Sequence, residues 1–499
     1  MLSWMQGRMP SKKLTWEQFR ALPEDLQREV FERLVGLIDV VEAQAQQIAQ
    51  LTARVAELEA QLAKNSRNSS KPPSSDGLKK PPQTRSNRTP SGKKPGGQTG
   101  HDGASLSQVE NPDKIVRHAV CWCGKCGDSL EDKRPCSMEK RQVIDLPPLN
   151  LTVTEHQAET KRCHCGHLTQ ASFPEHVTAP VQYGPEVQSL SVYLNTYQFV
   201  PFARLTEFFW DLFGVRLSPA TVKRALETTA NKVAPEVEAI KNAVIQSALA
   251  HFDETGMRVA GVLHWLHSSS TEKLTYYAVS QHRGTKAMKE IGILPAFKGK
   301  AIHDAWSPYY RFEDCIHYLC NAHHLRELKF VFEEHKEKWA SRMHDLLLKI
   351  HKVVCNHKMA GQTELSAHRL KVFDTKYNQI IIAGKKLHGH RGELEQTGSR
   401  GRKRQRKGKN LLDRLDHNRD QALGFMRDFT VPFTNNLAEQ DIRMQKVKQK
   451  ISGCFRTLAG ANVFTQLRTY ISTARKQGHR VLDAIRSAVI GQPLDLAGT

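Results

Sequence analysis

The sequence lacks the features that mark membrane and secreted proteins. No apolar run reaches the roughly 20 residues that a membrane-spanning helix needs, and the most apolar candidate, 188–215, contains Arg204, Glu207 and Asp211. The N-terminus has no basic start, apolar core and small-residue cleavage site in series. The ten cysteines are clustered, which in a reducing cytosol favours metal ligands over disulfides. These absences predict a cytoplasmic protein with no membrane partner, and the absence of an H-E-x-x-H motif disfavours a zinc peptidase.

Acidic residues are scarce relative to basic ones. The chain has 73 Lys and Arg but 51 Asp and Glu, which gives a formal charge of +22. Such an excess indicates a polyanionic partner, with nucleic acid first and a membrane surface second. At 499 residues the chain is long enough for several domains.

Residues 15–63 have the heptad pattern of a coiled-coil helix. Apolar residues recur every seven positions: Leu34, Val41, Ile48, Val55 and Leu62. Leucines stand three positions after three of them: Leu37, Leu51 and Leu58. Gln44 occupies the equivalent position after Val41 and could fix the register. β-branched residues at the first position with Leu at the second favour a parallel dimer. The alternative is an amphipathic helix packed on its own domain.

Residues 64–110 are predicted to be a disordered basic linker. The segment is rich in Ser, Pro, Gly, Lys and Arg, and such a composition cannot bury enough apolar surface to fold. It either contacts phosphate weakly or is a solvated spacer.

Residues 111–180 contain cysteine pairs that predict a small zinc-binding module. Cys123 and Cys126 have C-x-x-C spacing, and Cys163 and Cys165 form a tighter C-x-C pair about 40 residues later. Because the second pair is unusually tight, Cys121 or His167 could replace one ligand. The alternative is a set of free thiols.

Residues 185–240 are predicted to be helical and to bind DNA through a helix-turn-helix. An amphipathic helix ends near Gly214, and a second begins with Ser218 as N-cap and Pro219 as its first residue. Polar and basic side chains follow at its start, as in a recognition helix: Thr221, Lys223 and Arg224. Any helical hairpin would have a similar pattern.

Residues 245–334 predict an α/β domain with a mixed sheet. Three strands (248–253, 258–269 and 273–280) precede a helix that ends at Gly292, a fourth strand (299–304), a short helix and a fifth strand (315–321). Asp253 ends the first strand and Asp304 the fourth. If those strands are neighbours, the two carboxylates meet at one edge of the sheet.

A third acid is expected on a later helix. Glu439 is that candidate, because it lies on a predicted helix that starts near Asn435 or Asn436. Three carboxylates can hold two divalent ions roughly 3.5–4 Å apart for phosphodiester chemistry. Oxygen ligands suit Mg²⁺, with Mn²⁺ as an alternative ion. Glu254 and Asp441 are less favoured candidates, because each is displaced along its element. Arg443 and Lys446 lie on or near the same helical face as Glu439 and either contact phosphate or are solvated.

Seven motifs in order are similar to those of the large transposases of the insertion sequence 66 family: NSSKPPSSD, FPEHVTAPVQYG, HFDETG, IHDAWSPYY, CNAHHLREL, TNNLAEQDIR and GCFRT. The resemblance runs from about residue 30 to 490. It implies a DDE transposase whose triad is Asp253, Asp304 and Glu439. Two features depart from the family pattern: Thr434 stands where the family often has Asp, and the second cysteine pair is C-x-C.

Together with the patterns above, the resemblance implies a multidomain α+β organisation. The coiled coil, zinc module and helix-turn-helix precede an RNase H-like catalytic core (245–334 and 431–455), which a helical basic insertion (335–430) interrupts and C-terminal helices (456–499) follow. The expected partners are DNA, both the element ends and the target, a second copy of the chain, and small companion proteins of the element. The expected location is the bacterial cytoplasm, in association with the nucleoid. An end-binding regulator and a nuclease of the same fold that cannot join strands are the alternatives.

Overall fold

The computed structural model describes residues 15–64, 106–147, 149–390 and 405–498. Most of the predicted linker, and residues 391–404 of the predicted basic insertion, lie outside these residues. The chain divides into two compact units. The helical unit contains residues 1–81 and 318–434, and the sheet unit contains residues 82–317 and 435–499.

The elements of the described residues follow in chain order. The α-helices are α1 (Trp16–Arg20), α2 (Glu24–Leu62), α3 (Pro185–Val192), α4 (Phe202–Phe213), α5 (Pro219–Gln246), α6 (Thr285–Ile291), α7 (Ile293–Ala296), α8 (Asn321–His335), α9 (Lys338–Met359), α10 (Ala367–His390), α11 (Lys407–His417), α12 (Arg419–Arg427), α13 (Asn436–Ser452), α14 (Leu458–Lys476) and α15 (Val481–Val489). The strands are β1 (Thr160–Arg162), β2 (Leu168–Gln170), β3 (Leu249–Val259), β4 (Val262–Ser270), β5 (Thr275–Ser280), β6 (Lys300–His303) and β7 (Ile316–Leu319). A π-helical turn covers Tyr193–Tyr197 and a 3₁₀ helix covers Ser307–Arg311.

The main sheet is mixed and has the strand order β5-β4-β3-β6-β7. The predicted neighbourhood of the first and fourth strands is confirmed, because β3 pairs in parallel with β6, with His251 opposite Ile302. β3 also pairs antiparallel with β4, from His251 opposite Ser270 to Val259 opposite Val262. The α+β class is therefore confirmed at the level of a mixed sheet with helices.

Two predicted strand boundaries are wrong. β3 does not end at Asp253 but continues to Val259, and the predicted second strand, 258–269, contains the turn between β3 and β4. Ala260 and Gly261 form that turn with φ of 50° and 78°, backbone angles that glycine adopts without strain. The Ala-Gly pair inside an apolar run is the turn signal that the strand assignment overlooked.

One hydrophobic core joins the helices of residues 185–246 to the sheet. The long helix α5 begins at the predicted cap, where Ser218 accepts from the Thr221 amide. Its buried stripe packs with residues of β3, β6 and α14: Val222, Leu226, Val233, Ile240 and Val244 with Ala250, Phe252, Ala301, Leu467 and Ile471. The predicted DNA-binding helices thus share the core of the predicted catalytic domain, and so do helices of the predicted C-terminal segment.

The helical unit contains α2 and α8 to α12. α8 packs on α9 and α11 through a buried face with Leu325, Leu328 and Val331. For that reason the unit begins at residue 318, before the predicted insertion boundary at 335. α2 begins at Glu24, because Pro23 precedes it as N-cap. Its heptad residues are exposed along the helix, with Val41 61% and Ile48 64% exposed.

Candidate active site

The sheet brings Asp253 and Asp304 to the same level. The β3–β6 pairing ends with His251 opposite Ile302, so two residues further on Asp253 and Asp304 hold equivalent positions. Asp304 follows the last residue of β6. Although Asp253 lies within β3, it stands at the end of the parallel pairing. The prediction that the two acids meet at this edge therefore survives the correction of the strand boundary.

Each acid is held by a backbone amide. An Asp253 Oδ1 accepts from the amide of Glu254 at 2.9 Å, and an Asp304 Oδ1 accepts from the amide of Trp306 at 3.0 Å. These bonds restrict the orientation of the two carboxylate side chains.

Asn435, the N-cap residue of α13, fixes the start of the helix that carries Glu439 against β3. Its side-chain amide donates to the carbonyl of Phe252 at 2.8 Å, and its Oδ1 accepts from His251 Nδ1 at 2.8 Å. Asn435 is 1% exposed. Because Phe252 precedes Asp253, this contact positions the first turn of α13, with Glu439, beside the acid of β3.

The other end of α13 is tied to the same strand. Phe455 accepts from the amide of Ala260 at 2.8 Å and donates to the carbonyl of Arg258 at 3.1 Å. The 17 residues of α13 span about 25 Å, and the segment from Phe252 to Val259 spans about 23 Å. Helix and strand therefore run side by side over matched lengths.

The three predicted acids repel one another. Burial of the carboxyl group raises the pKa of Asp253 well above its usual range, and the negative charges of Glu254, Glu439 and Asp304 raise it further. Such an arrangement is unfavourable for carboxylates alone and becomes favourable beside a divalent cation. Oxygen donors of this kind fit Mg²⁺ or Mn²⁺.

The two less favoured acids make ion pairs instead. Glu254 is paired with Arg283 at 2.8 Å and accepts from the Tyr309 hydroxyl at 2.6 Å. Asp441 is paired with Lys476 at 2.6 Å, and its carboxylate also accepts from the Thr275 hydroxyl. These partners occupy both groups in structural contacts.

The predicted phosphate contacts of α13 differ in exposure. Arg443 is exposed. Lys446 is partly buried and donates to the carbonyl of Gly256 in β3 at 2.9 Å, and burial lowers its pKa. Lys446 therefore contributes to holding α13 along β3.

The predicted recognition residues lie at the start of α5. Lys223 and Arg224 are exposed and Thr221 is partly buried. The Thr221 hydroxyl lies 2.9 Å from that of Ser218, and Lys223 forms an ion pair with Glu227 at 3.4 Å. The side chains of Lys223 and Arg224 are therefore accessible to solvent on the sheet unit.

The predicted zinc ligands form two separate pairs. Cys123 and Cys126 lie in a turn whose amides lower the pKa of Cys123 to about 7, and Cys163 and Cys165 lie in the turn between β1 and β2, where neighbouring amides also lower the pKa of Cys163. Between residues 106 and 180, omitting residue 148, no three Cys or His ligand atoms lie within 4.8 Å of one another. The shared four-ligand site stays a prediction.

Sequence reasoning missed Arg283, Trp306 and the role of Asn435. Asn435 stood in a quoted motif, but nothing in its spacing indicates a contact with a strand 183 residues earlier. Arg283 and Trp306 lie in loops, which have no periodicity to identify them. The one local signal is the position of Trp306, two residues after an acid.

Comparison with known families gives the class of this protein. A family model described as "Transposase IS66 family" matches residues 180–463, which is more than half of the chain. The chain belongs to the IS66 transposase family, so the predicted resemblance is confirmed. Residues 13–107 match a second model, a family of unknown function (DUF6444).

The search of curated proteins found no match. Across the described residues, no helix combines the length and the apolar character needed to cross a membrane.

Proposed function

We propose that this transposase is a DDE enzyme that binds the ends of its element, cuts their phosphodiester bonds and joins the freed 3′ ends to target DNA. Two observations support the proposal: the β3–β6 register gives Asp253 and Asp304 equivalent positions, and the Asn435 contact holds the start of the helix that carries Glu439 against β3. The charges of Glu439 and Asp304 both raise the pKa of Asp253, as expected for acids that share a cation site.

In this proposal the three carboxylates would hold two Mg²⁺ or Mn²⁺ ions, which activate the attacking oxygen and stabilise the leaving oxygen. The chain's own part is to hold its ligands rigidly. Asp253 lies in a strand paired on one side with β4, Asp304 accepts from the Trp306 amide, and Glu439 lies on a helix tied to β3 at both ends. Because the pKa of Asp253 is raised, protons compete with the cation for its carboxyl group.

DNA binding and pairing of subunits are assigned to the rest of the chain. The charge of +22 favours a polyanion, and Lys223, Arg224 and Arg443 are exposed basic candidates. The exposed heptad residues of α2 suit a coiled-coil dimer that brings two ends together. A structural zinc ion at the two cysteine pairs and small companion proteins of the element remain part of the proposal.

Transposition in cells tests the triad. A donor plasmid carries the element's ends and companion genes, and this protein is supplied as wild type or Glu439→Gln. Because loss of one ligand removes several kcal/mol of cation stabilisation, movement should fall about a thousandfold or more. Glu290→Gln, an exposed acid on α6, is the matched control and should move the element normally.

Purified protein separates the proposal from its alternatives. With Mg²⁺ or Mn²⁺ and a donor duplex carrying an element end, a transposase gives both cut ends and joined target products. Cut ends without joined products indicate a nuclease. If Glu439→Gln moves the element as well as the wild type does, the triad is refuted.

A further inference from the structure

A stacked arginine lies beside the acids of the candidate site. The guanidinium of Arg283 lies between two indole rings, 4.0 Å from the ring centroid of Trp306 and 4.8 Å from that of Trp265. Its Nε and Nη2 both donate to Glu254 Oε1, at 3.0 and 2.8 Å. We call these three residues, Trp265, Arg283 and Trp306, the arginine stack.

The arginine stack leaves one donor group turned outward. Within the described residues, Nη1 of Arg283 makes no hydrogen bond, whereas Nε and Nη2 are used by Glu254. The Arg283 side chain is 40% exposed, while that of Glu254 is 2% exposed. The buried carboxylate and the two rings hold the guanidinium on three sides, so that its remaining edge faces solvent in a fixed orientation.

The arginine stack is connected to the candidate acids on both sides. Trp306 donates its amide to Asp304, and Glu254, the anchor of Arg283, follows Asp253 in β3. Tyr309 links the two sides, because its hydroxyl donates to Glu254. Burial raises the pKa of Tyr309, and the charges of Glu254, Asp304 and Asp253 raise it further. The arginine stack therefore adjoins the candidate acids.

We propose that Arg283 is a phosphate-contacting residue, whose Nη1 donates to a non-bridging oxygen of a phosphate in the DNA strand that enters the acid cluster. The proposal rests on the proposed function, since it names DNA as the occupant. A planar guanidinium suits this role, because its edge donates to phosphate oxygens while its faces stack on aromatic rings. A buried ion pair is often no more stabilising than an apolar pair of similar volume, and stability alone would not require two stacked rings.

The test measures DNA binding without catalysis. Removing Arg283 alone would leave Glu254 buried and unpaired, and the protein could fail to fold. The comparison is therefore Glu254→Gln against the double variant Glu254→Gln/Arg283→Gln, both free of the buried charge. If the double variant does not fold, as judged by circular dichroism, the pair Glu254→Met/Arg283→Met replaces it, because apolar pairs of similar volume substitute well for buried ion pairs.

Affinity for a duplex carrying the element's end is measured in EDTA over a series of salt concentrations. Loss of Arg283 should weaken binding about tenfold and reduce the slope of log K against log salt by about 0.9, the value for one phosphate contact. The matched control is Arg258→Gln, because Arg258 is an exposed arginine of β3, the strand that contains Glu254. The double variant Glu254→Gln/Arg258→Gln should bind the duplex with the same affinity as Glu254→Gln. Equal affinity and slope with and without Arg283 would overturn the proposal.

The outcome is independent of the transposition test. Glu439→Gln retains Arg283, so it should bind the duplex with the wild-type salt slope even when the element no longer moves. Normal movement by Glu439→Gln together with a reduced slope on loss of Arg283 would refute the triad and support the phosphate contact.

Discussion

The contact between Asn435 and β3 allows a quantitative prediction. Asn435→Ala removes the donor to the Phe252 carbonyl and the acceptor for His251 Nδ1, at a position that is 1% exposed. Each buried polar group left without a partner costs about 1–3 kcal/mol. The free energy of unfolding should therefore fall by about 2–6 kcal/mol.

Asn435→Ala should also lower the activity of protein that is still folded. Without the Asn435 amide, the first turn of α13 is free to shift, and a displacement of about 1 Å at a catalytic group can reduce the rate about a hundredfold. Transposition by Asn435→Ala should fall by this order at a temperature where the protein is still folded.

Urea unfolding and hydrogen exchange of the β3 amides measure the change in stability. Asn436→Ala is the matched control, because Asn436 is the next residue and is exposed; it should change the free energy of unfolding by less than about 0.5 kcal/mol. If the free energies of unfolding of Asn435→Ala and Asn436→Ala agree within about 0.5 kcal/mol, the inferred role of the contact is wrong.

Two further predictions concern buried ionisable groups. Lys476→Met should lower the free energy of unfolding, measured in urea, by about 3–5 kcal/mol, because it leaves the charge of Asp441 without its ion-pair partner inside the sheet unit. The double variant Asp441→Leu/Lys476→Met should recover most of this loss. If it recovers none, the ion pair is not the cause of the loss. Burial lowers the pKa of His324 to about 3, so the folded state binds fewer protons than the unfolded state between that value and about 6.5. The stability from neutral His324 is present at pH 7 and is lost as pH falls, by about 1.4 kcal/mol per pH unit in that window. His324→Asn should reduce this pH slope in urea unfolding between about pH 4 and 6, and equal slopes would contradict the assignment.

The sequence predicted the elements of the sheet better than their limits. Apolar runs followed by acids located β3 and β6, and Gly292, with φ of 82°, ends α6 as expected. The length of β3 was underestimated, because Glu254 reads as a polar strand end until its partner Arg283 is known. Burial of a charged residue depends on a partner distant in sequence, which local pattern does not reveal.

The candidate site shows the same limit. Asp253, Asp304 and Glu439 could be selected by residue type and position, since acids at the ends of elements are visible in one dimension. The contacts that position them were not visible, because Asn435 reaches β3 across 183 residues and Trp306 stacks on an arginine from another loop. Those contacts are fixed by tertiary packing.

The matched lengths of α13 and β3 have a consequence for how this chain can change in evolution. An insertion or deletion of one residue within α13 would turn the following residues by about 100° and shift them by about 1.5 Å, so that Asn435 and Phe455 could not both keep their contacts with β3. Natural variants should therefore differ in this segment by substitution and not by length. The contacts with β3 place no such constraint on residues 318–434, where changes in length should accumulate.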